Sequence, residues 1–327
     1  MFNHFPKVMR RSLVIVAAAI GAFTAPQIGY AQGTWTTLAP VSPSPTEGMS
    51  VGGVGQVIVG AYGFSSTAGA YTNQTRVYNI SSDSWITGSP APLPARSEAA
   101  YGDTTHGGFL YVIGGDNSAG VLSDLQRYDP VTDTWTTLTS MSTPRAGAAA
   151  AVIDDGIFVI GGRASASGPC SGPSMTTVEK YDIDTDTWTA VAPLPNSRSD
   201  LAAVAHGGKI FVFGGCTGTT PSVTNEVDMY DPQTNTWTTL APMTTPRASL
   251  VAGHSGDLIY AIGGTDGVSA LNVNEVYSIS GNSWSSNTPM TTARQEAGVH
   301  SHGGRVYVVG GSTTYGSSSS ANEVFKP

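Results

Sequence analysis

All six tryptophans of this 327-residue chain occupy the same place in an internal repeat. Spaced 50, 50, 53, 49 and 47 residues apart, they are Trp35, Trp85, Trp135, Trp188, Trp237 and Trp284. A tyrosine lies seven residues before each of the last five, at Tyr78, Tyr128, Tyr181, Tyr230 and Tyr277. A period near fifty residues indicates one supersecondary unit copied several times, which constrains the fold more than any local motif.

The segment between Trp188 and Trp237 shows what is repeated. Short apolar runs (LAAVA, IFVFGG and NEVDMY) are separated by turns rich in Gly, Pro, Asn and Asp, without the periodicity of a helix. Asp-Pro pairs open two of the Tyr-to-Trp turns, where proline presets the backbone for a β-turn. Each repeat is therefore predicted to be a four-stranded antiparallel meander in an all-β protein.

Three features of the repeat together resemble the kelch motif: a Gly pair, the Tyr seven residues before the Trp, and an Arg about ten residues after it. The Gly pairs are Gly114–Gly115, Gly161–Gly162, Gly214–Gly215, Gly263–Gly264 and Gly310–Gly311, with Gly60–Ala61 in the first repeat. The resemblance recurs six times over roughly residues 33–327. It implies a six-bladed kelch β-propeller with four-stranded antiparallel blades, in which the aromatic residues form core.

The two ends of the chain predict how the ring closes. Phe325-Lys326-Pro327 aligns with Tyr128-Asp129-Pro130, in the middle of a repeat, so the last repeat lacks its Trp strand. The segment GTWTTLAP at 33–40 is nearly identical to NTWTTLAP at 235–242 and can supply that strand. We therefore expect the sixth blade to combine three C-terminal strands with one N-terminal strand, which removes an exposed sheet edge.

The first 31 residues have the pattern of a secretory signal peptide. Lys7, Arg10 and Arg11 precede the apolar run from 13 to 23, and Gly29-Tyr30-Ala31 offers small residues, Gly29 and Ala31, at the cleavage positions. We expect export to the periplasm or the medium by the Sec or the twin-arginine route, with residues 32–327 as the propeller. Removal of the leader is expected to free the closing strand for docking.

The net charge of the chain narrows the classes of partner that it is expected to bind. Without residues 1–31, 12 Lys and Arg remain against 23 acids, a net charge of −11, and no basic run exists. We therefore expect no nucleic acid partner. No hydrophobic segment after residue 31 is long enough to cross a bilayer, so we expect no membrane span. We also expect a monomer without a cofactor.

Cys170 and Cys216 are the two cysteines of the chain. Cys216 directly follows a Gly pair, and Cys170 lies in the longest of the corresponding loops, in the adjacent blade. A disulfide is favoured over free thiols in an oxidising compartment, although spacing in the sequence cannot decide between them.

One face of the propeller is predicted to carry a ring of arginines, one per repeat, with Thr46 in the first. These are Arg96, Arg145, Arg198, Arg247 and Arg294. Two residues later, alternate repeats carry an acid, at Glu98, Asp200 and Glu296, where the others have Gly48, Gly147 and Ser249. Because residues two apart on a strand point the same way, each acid is expected to neighbour its own Arg.

This ring of side chains has two interpretations. Either carboxylates neutralise a structural Arg in each repeat, or the Arg forks and the acids form a polar ligand pocket. The three acids are expected to stand ~10 Å apart, too far to share a metal ion. His106, His206, His254, His300 and His302 are expected near the opposite end of the strands, too dispersed to bind zinc.

Two functions remain open from the sequence. The first is an exported, non-enzymatic module that binds a protein or a glycan through the loops of one face. The second is an enzyme resembling the periplasmic sialic-acid mutarotases, in which Arg would hold the sugar carboxylate and one of the three acids would move a proton. The evenness of the repeats favours the module.

Overall fold

The computed structural model describes residues 31–166, 168–218 and 222–327, and these form a six-bladed β-propeller. The proposed signal peptide lies almost entirely outside the described residues. Every blade is a four-stranded antiparallel sheet. Within the described ranges, no helix is both long and apolar enough to cross a membrane.

The blades, numbered I to VI, follow the repeat. From the innermost to the outermost strand, blade I contains Ser50–Val54, Val57–Ala61, Thr75–Asn79 and Ser84–Gly88; blade II contains Thr105–His106, Phe109–Ile113, Leu125–Asp129 and Thr134–Leu138; blade III contains Ala149–Ile153, Gly156–Ile160, Val178–Asp182 and Thr187–Ala190. Blade IV contains Ala202–His206, Lys209–Phe213, Val227–Asp231 and Thr236–Thr239; blade V contains Val251–Ser255, Leu258–Ile262, Asn274–Ser278 and Ser283–Ser286; blade VI contains Gly298–His302, Arg305–Val309, Asn322–Lys326 and Thr34–Thr37.

Four of the loops after the second strand also form two-stranded ribbons. These ribbons pair Phe64–Ser65 with Ala70–Tyr71, Asp116–Asn117 with Gly120–Val121, Cys216–Thr217 with Ser222–Val223, and Ser312–Thr314 with Ser317–Ser318.

The predicted closure of the ring is confirmed. Thr34–Thr37 pairs antiparallel with Asn322–Lys326, and Trp35 stands opposite Phe325 with ring centroids 5.0 Å apart. The Trp35 indole donates a hydrogen bond to the Thr288 carbonyl of blade V at 2.9 Å.

The tryptophans join neighbouring blades, as expected of core residues. In blades I to V the Tyr and Trp rings of one blade lie 4.9–5.1 Å apart. The indole of Trp85 donates to the Ala39 carbonyl of the preceding blade, and Tyr78 donates to Asp83, which also accepts the Ala39 N–H. The same arrangement recurs around the ring, so each aromatic pair packs core and fixes the position of its neighbour.

One local expectation from the sequence is wrong. In blade I the pair equivalent to the Gly pairs is Tyr62–Gly63, because both residues have left-handed φ angles (62° and 105°) and Gly63 donates to the Arg96 carbonyl as Gly115 does to Arg145. The Gly60–Ala61 pair belongs to a strand instead. Blade II also departs from the repeat, since its innermost strand is only Thr105–His106.

The irregular segment of blade II, which precedes its short inner strand, pairs with the innermost strand of blade III. Tyr101 exchanges backbone hydrogen bonds with blade III, donating to Ala148 and accepting from Ala150. The neighbouring Gly102 has a φ of 134°, and a Cβ there would overlap the Ala150 carbonyl oxygen. Only glycine allows so close an approach of two backbones.

Replacement of Trp35 by Ala is expected to destabilise the protein more than replacement of Trp85. Both changes remove a large aromatic side chain (~3–5 kcal/mol), but Trp35 also holds the strand that closes the ring. Urea unfolding of the mature chain measures both variants. Equal or smaller loss for Trp35→Ala would show that the closing strand adds nothing beyond its own packing.

Candidate functional site

Six equivalent residues form a ring around one end of the channel. This mouth ring consists of Gly48, Glu98, Gly147, Asp200, Ser249 and Glu296, all with left-handed φ angles between 50° and 62°. The N–H of each donates to the carbonyl of its neighbour, closing a circle of six backbone hydrogen bonds of 2.6–3.1 Å that visits every blade. We call this end of the channel the upper mouth.

Four members of the mouth ring carry side chains where glycine would be unstrained. A left-handed residue with a Cβ costs ~1–2 kcal/mol relative to glycine, and Gly48 and Gly147 show that glycine fits the ring. Glu98, Asp200 and Glu296 are retained at such positions and are all buried. Strain of this kind concentrates at functional sites.

The five arginines predicted from the sequence are buried inside the blades. Each is buried, with at most 1% of its surface exposed, and pairs with an acid from the third strand of its own blade or the residue before it. The pairs are Arg96–Asp124, Arg145–Glu179, Arg198–Asp228, Arg247–Glu275 and Arg294–Glu323. Burial lowers the pKa of Arg247 and Arg294 to about 10 despite these acids. The structure thus gives these guanidinium groups partners inside the blades.

In blade I the buried arginine of this region comes from the third strand of the blade. Thr46 stands where the other blades have Arg, and Arg76 occupies the third-strand position that holds Glu179 in blade III. The buried Arg76 guanidinium donates to Gln74 at 2.7 Å, and burial lowers the pKa of Arg76 to about 10.

The expectation that each acid neighbours its own Arg is wrong. Strand alternation requires extended backbone, but the left-handed conformation of Glu98 turns its side chain away from Arg96. Glu98 instead forms an ion pair with Arg163 of blade III, as does Asp200, at 2.8 Å between Oδ1 and Nη1. Two acids that bind one guanidinium stand closer than the expected ~10 Å.

Arg163 is the central residue of the site, and sequence reasoning missed it. It follows the Gly161–Gly162 pair, is fully buried, and also contacts Asp116 at 3.3 Å. A Cβ at Gly147 would overlap its Nη1 atom, so glycine there leaves room for the guanidinium. The available signal was the lone Arg after a Gly pair, where the other five repeats have Phe64, Asp116, Cys216, Thr265 and Ser312.

The carboxyl groups of the upper mouth outnumber the single positive charge that Arg163 supplies. Burial raises the pKa of Glu98 to about 8 and that of Asp116 to about 6, although Arg163 opposes both shifts. Burial and repulsion from Glu98 also raise the pKa of Glu296 well above its usual range. Burial opposes the charge of Arg163 itself, but Asp200 and Glu98 outweigh it and raise the guanidinium pKa.

Glu47 is a further buried carboxyl group at the upper mouth. It directly precedes the mouth ring, is 4% exposed, and its Oε2 atom is buried without a hydrogen-bond partner among the residues described. Burial raises the pKa of Glu47 to about 7, partly offset by the neighbouring Ser312 hydroxyl.

These side chains surround a cavity of about 150 Å³. Carboxyl groups from blades I, II and VI meet three aromatic rings there. The cavity is lined by Glu47, Phe64, Tyr71, Ser97, Glu98, Asp116, Ala166, Gly168, Glu296, Tyr315 and Gly316.

The Cys170 loop of blade III forms one wall of the cavity. Cys170 is joined to Cys216 of blade IV by a disulfide with 5.3 Å between the Cα atoms. The Cys170 N–H donates to Asp200 Oδ2 at 2.7 Å, and Gly168 packs against the Tyr315 ring of blade VI. The sulfur atoms of Cys170 and Cys216 lie near Asp200, but each is bonded to the other and neither is a thiolate ligand.

The histidines lie at the opposite end of the channel. His106 and His206 contact Asp155 and Asp257 of the next blades at 3.0 Å, and His300 Nδ1 contacts Asp103 at 2.5 Å. Across residues 31–166, 168–218 and 222–327, no three His or acid ligand atoms at this end lie close enough together to hold a metal ion.

With this geometry established, comparison with known proteins identifies the family. The family model described as "KLHDC2/KLHL20/DRC7 Kelch-repeats domain" matches residues 141–311, and the model described as "Kelch motif" matches residues 99–142. The chain belongs to the kelch-repeat family.

Kelch relatives match only part of the chain. Kelch-like protein 23 of Homo sapiens is 31% identical over 144 residues, which are 44% of this chain and 25% of that protein. Kelch-like protein 25 of Rattus norvegicus is 37% identical over 130 residues, 38% of this chain and 21% of that protein. The chain thus spans about a quarter of the length of these relatives. A solved structure titled "Structure of YjhT" has a TM-score of 0.74 and 18% identity, covering 88% of this chain and 96% of that one, and supports the fold.

Replacement of Glu47 by Gln is expected to stabilise the protein above pH 7 by about 1–3 kcal/mol. The carboxyl pKa is raised from 4.5 in the unfolded chain to about 7 in the fold. Ionising Glu47 therefore disfavours folding, with no effect below pH 4.5 and the full effect above pH 7. Urea unfolding at pH 4.5 and 8 measures the difference, with Asp184→Asn at an exposed turn as control. A variant less stable than wild type at pH 8 would contradict the assignment.

Proposed function

We propose that this kelch propeller is an exported, monomeric binding module that takes one residue of a glycan into the upper-mouth cavity. The observation that carries the proposal is the convergence of four buried carboxyl groups and three aromatic rings on one cavity. Carboxylates accept hydrogen bonds from sugar hydroxyl groups, and aromatic faces pack against sugar rings.

The size and support of the cavity favour a small ligand group. Its volume of about 150 Å³ is below the ~300 Å³ of common small-molecule sites, so a single sugar residue fits better than a long segment. The backbone hydrogen bonds of the mouth ring and the ion pairs with Arg163 hold the acids in position, which preorganises the site. A protein ligand would have to insert one side chain at the same place.

A carbohydrate isomerase of the mutarotase class is the second candidate. Glu98 and Glu296 line one cavity, and their raised pKa values let one carboxyl group donate a proton while another accepts it. Sialic acid fits less well than a neutral sugar, because the ring arginines and Arg163 already bind carboxylates of the protein.

A glycan array with the mature protein tests the binding proposal. We expect bound glycans whose signal falls at least tenfold in Tyr71→Ala and in Glu98→Gln, because these side chains line the cavity. Asp257→Asn at the opposite end is the matched control. Glycan binding that survives both substitutions, or no binding at all, would contradict the proposal. Faster anomer exchange that is lost in Glu98→Gln would establish the enzyme instead.

Export is proposed from the leader pattern and is compatible with the disulfide. Expression of the full chain is expected to yield a periplasmic or secreted protein beginning at Gln32, which intact mass and N-terminal sequencing measure. A retained leader, or an uncleaved cytoplasmic form as heat-stable as the mature protein, would contradict the idea that cleavage frees the closing strand.

A further inference from the structure

The charge of the upper mouth is strongly unbalanced. Five carboxyl groups meet there, and in the part of the chain that the structure describes Arg163 is the cation that forms ion pairs with them, contacting three of the five. The carboxyl groups are Glu47, Glu98, Asp116, Asp200 and Glu296. If all five were ionised, the site would carry four uncompensated negative charges in a buried setting, which proteins avoid.

Arg163 does not reach every acid. It contacts Glu98, Asp116 and Asp200, whereas Glu47 forms no ion pair and its Oε2 atom has no hydrogen-bond partner. Glu296 receives one weak hydrogen bond, from Gln295 at 3.4 Å. These two side chains line the cavity and are 4% and 3% exposed, so an acceptor without a donor faces the space a ligand would occupy.

The remaining walls suit a positive charge. Phe64, Tyr71 and Tyr315 present aromatic rings to the same cavity. Aromatic faces attract ammonium groups, and this attraction grows when the ion is removed from water. An anionic group would instead meet carboxylates on several sides.

We propose that the preferred ligand carries a protonated primary amine, as an amino-sugar residue does, and that its ammonium group donates to Glu47 and Glu296 in the upper-mouth cavity. This inference rests on the proposed glycan-binding function and specifies the charge of the ligand. It also gives the unpartnered Glu47 oxygen a donor.

Binding of such a cation should release protons. The titratable groups that line the cavity are Glu47, Glu98, Asp116, Glu296, Tyr71 and Tyr315. Arg163, Asp200 and Tyr101 lie next to these acids and interact with them. An ammonium ion stabilises the ionised carboxylates, so affinity should rise as the pH increases from about 5 to about 7 and the protonated acids are lost. Above that range affinity should level off or fall, because the amine of the ligand itself loses its proton near the ~7.7–8.0 of an α-amino group. A neutral sugar would show no such rise.

The test is calorimetric titration of the mature protein with two disaccharides that differ only in charge: chitobiose, with free amines, and its N,N′-diacetyl form. At a pH of about 6.5, where the amines are still mostly protonated, we expect chitobiose to bind at least tenfold more tightly, with net proton release measured in buffers of different ionisation enthalpy. Glu47→Gln should lower the preference for chitobiose over the diacetyl form at least tenfold, because it removes a carboxylate that the ammonium group contacts. Asp257→Asn removes the same charge at the lower mouth and should change neither.

Each other outcome overturns the inference. Equal or tighter binding of the diacetyl form would leave a glycan-binding site standing but remove the amine preference. Binding of neither disaccharide would overturn the amine preference, and the glycan array then decides the proposed function separately. Tighter binding of Nα-acetyl-lysine amide than of chitobiose would replace the sugar by a protein side chain. Thermal unfolding of Glu47→Gln confirms that a lost signal does not reflect a lost fold.

Discussion

The circle of six backbone hydrogen bonds at the upper mouth is the constraint on which the site depends. It requires a left-handed residue from every blade, in register with its two neighbours. It can therefore close only when all six blades are present and Gly48 of blade I meets Glu296 of blade VI. Because left-handed backbone redirects the side chain, the same circle aims Glu98, Asp200 and Glu296 toward the channel. Fold closure and site assembly are thus one event.

The buried charges of this protein divide into two sets with different consequences. Arginines such as Arg145 each have one acid in their own blade and are enclosed by packed core. Their loss would leave a buried carboxylate unpaired, so they act on stability. Arg163 instead serves acids from more than one blade and lies behind a cavity that Glu47 and Glu296 also line. This excess of acid is what distinguishes the upper mouth from the interior of the blades.

The architecture was predictable because it follows directly from the repeat in the sequence. The spacing of the tryptophans predicts the blades, and the match between 33–40 and 235–242 predicts the closing strand. The site was less accessible, because its geometry depends on left-handed φ angles that a strand pattern does not reveal. Alternation thus paired Glu98 with Arg96, whereas the fold pairs Glu98 with Arg163. The irregular Tyr101–Gly102 segment was hidden for the same reason.

The central claim is that the fold holds protonated carboxyl groups in the upper mouth near neutral pH. Nuclear magnetic resonance titration of side-chain carboxyl carbons in the mature protein, assigned with Glu47→Gln and Glu98→Gln, measures this directly. The account predicts that Glu47, which has no ion-pair partner among the described residues, titrates near pH 7, and that Glu98 titrates above the usual range of a glutamate. Titration of both groups below pH 5 would contradict it.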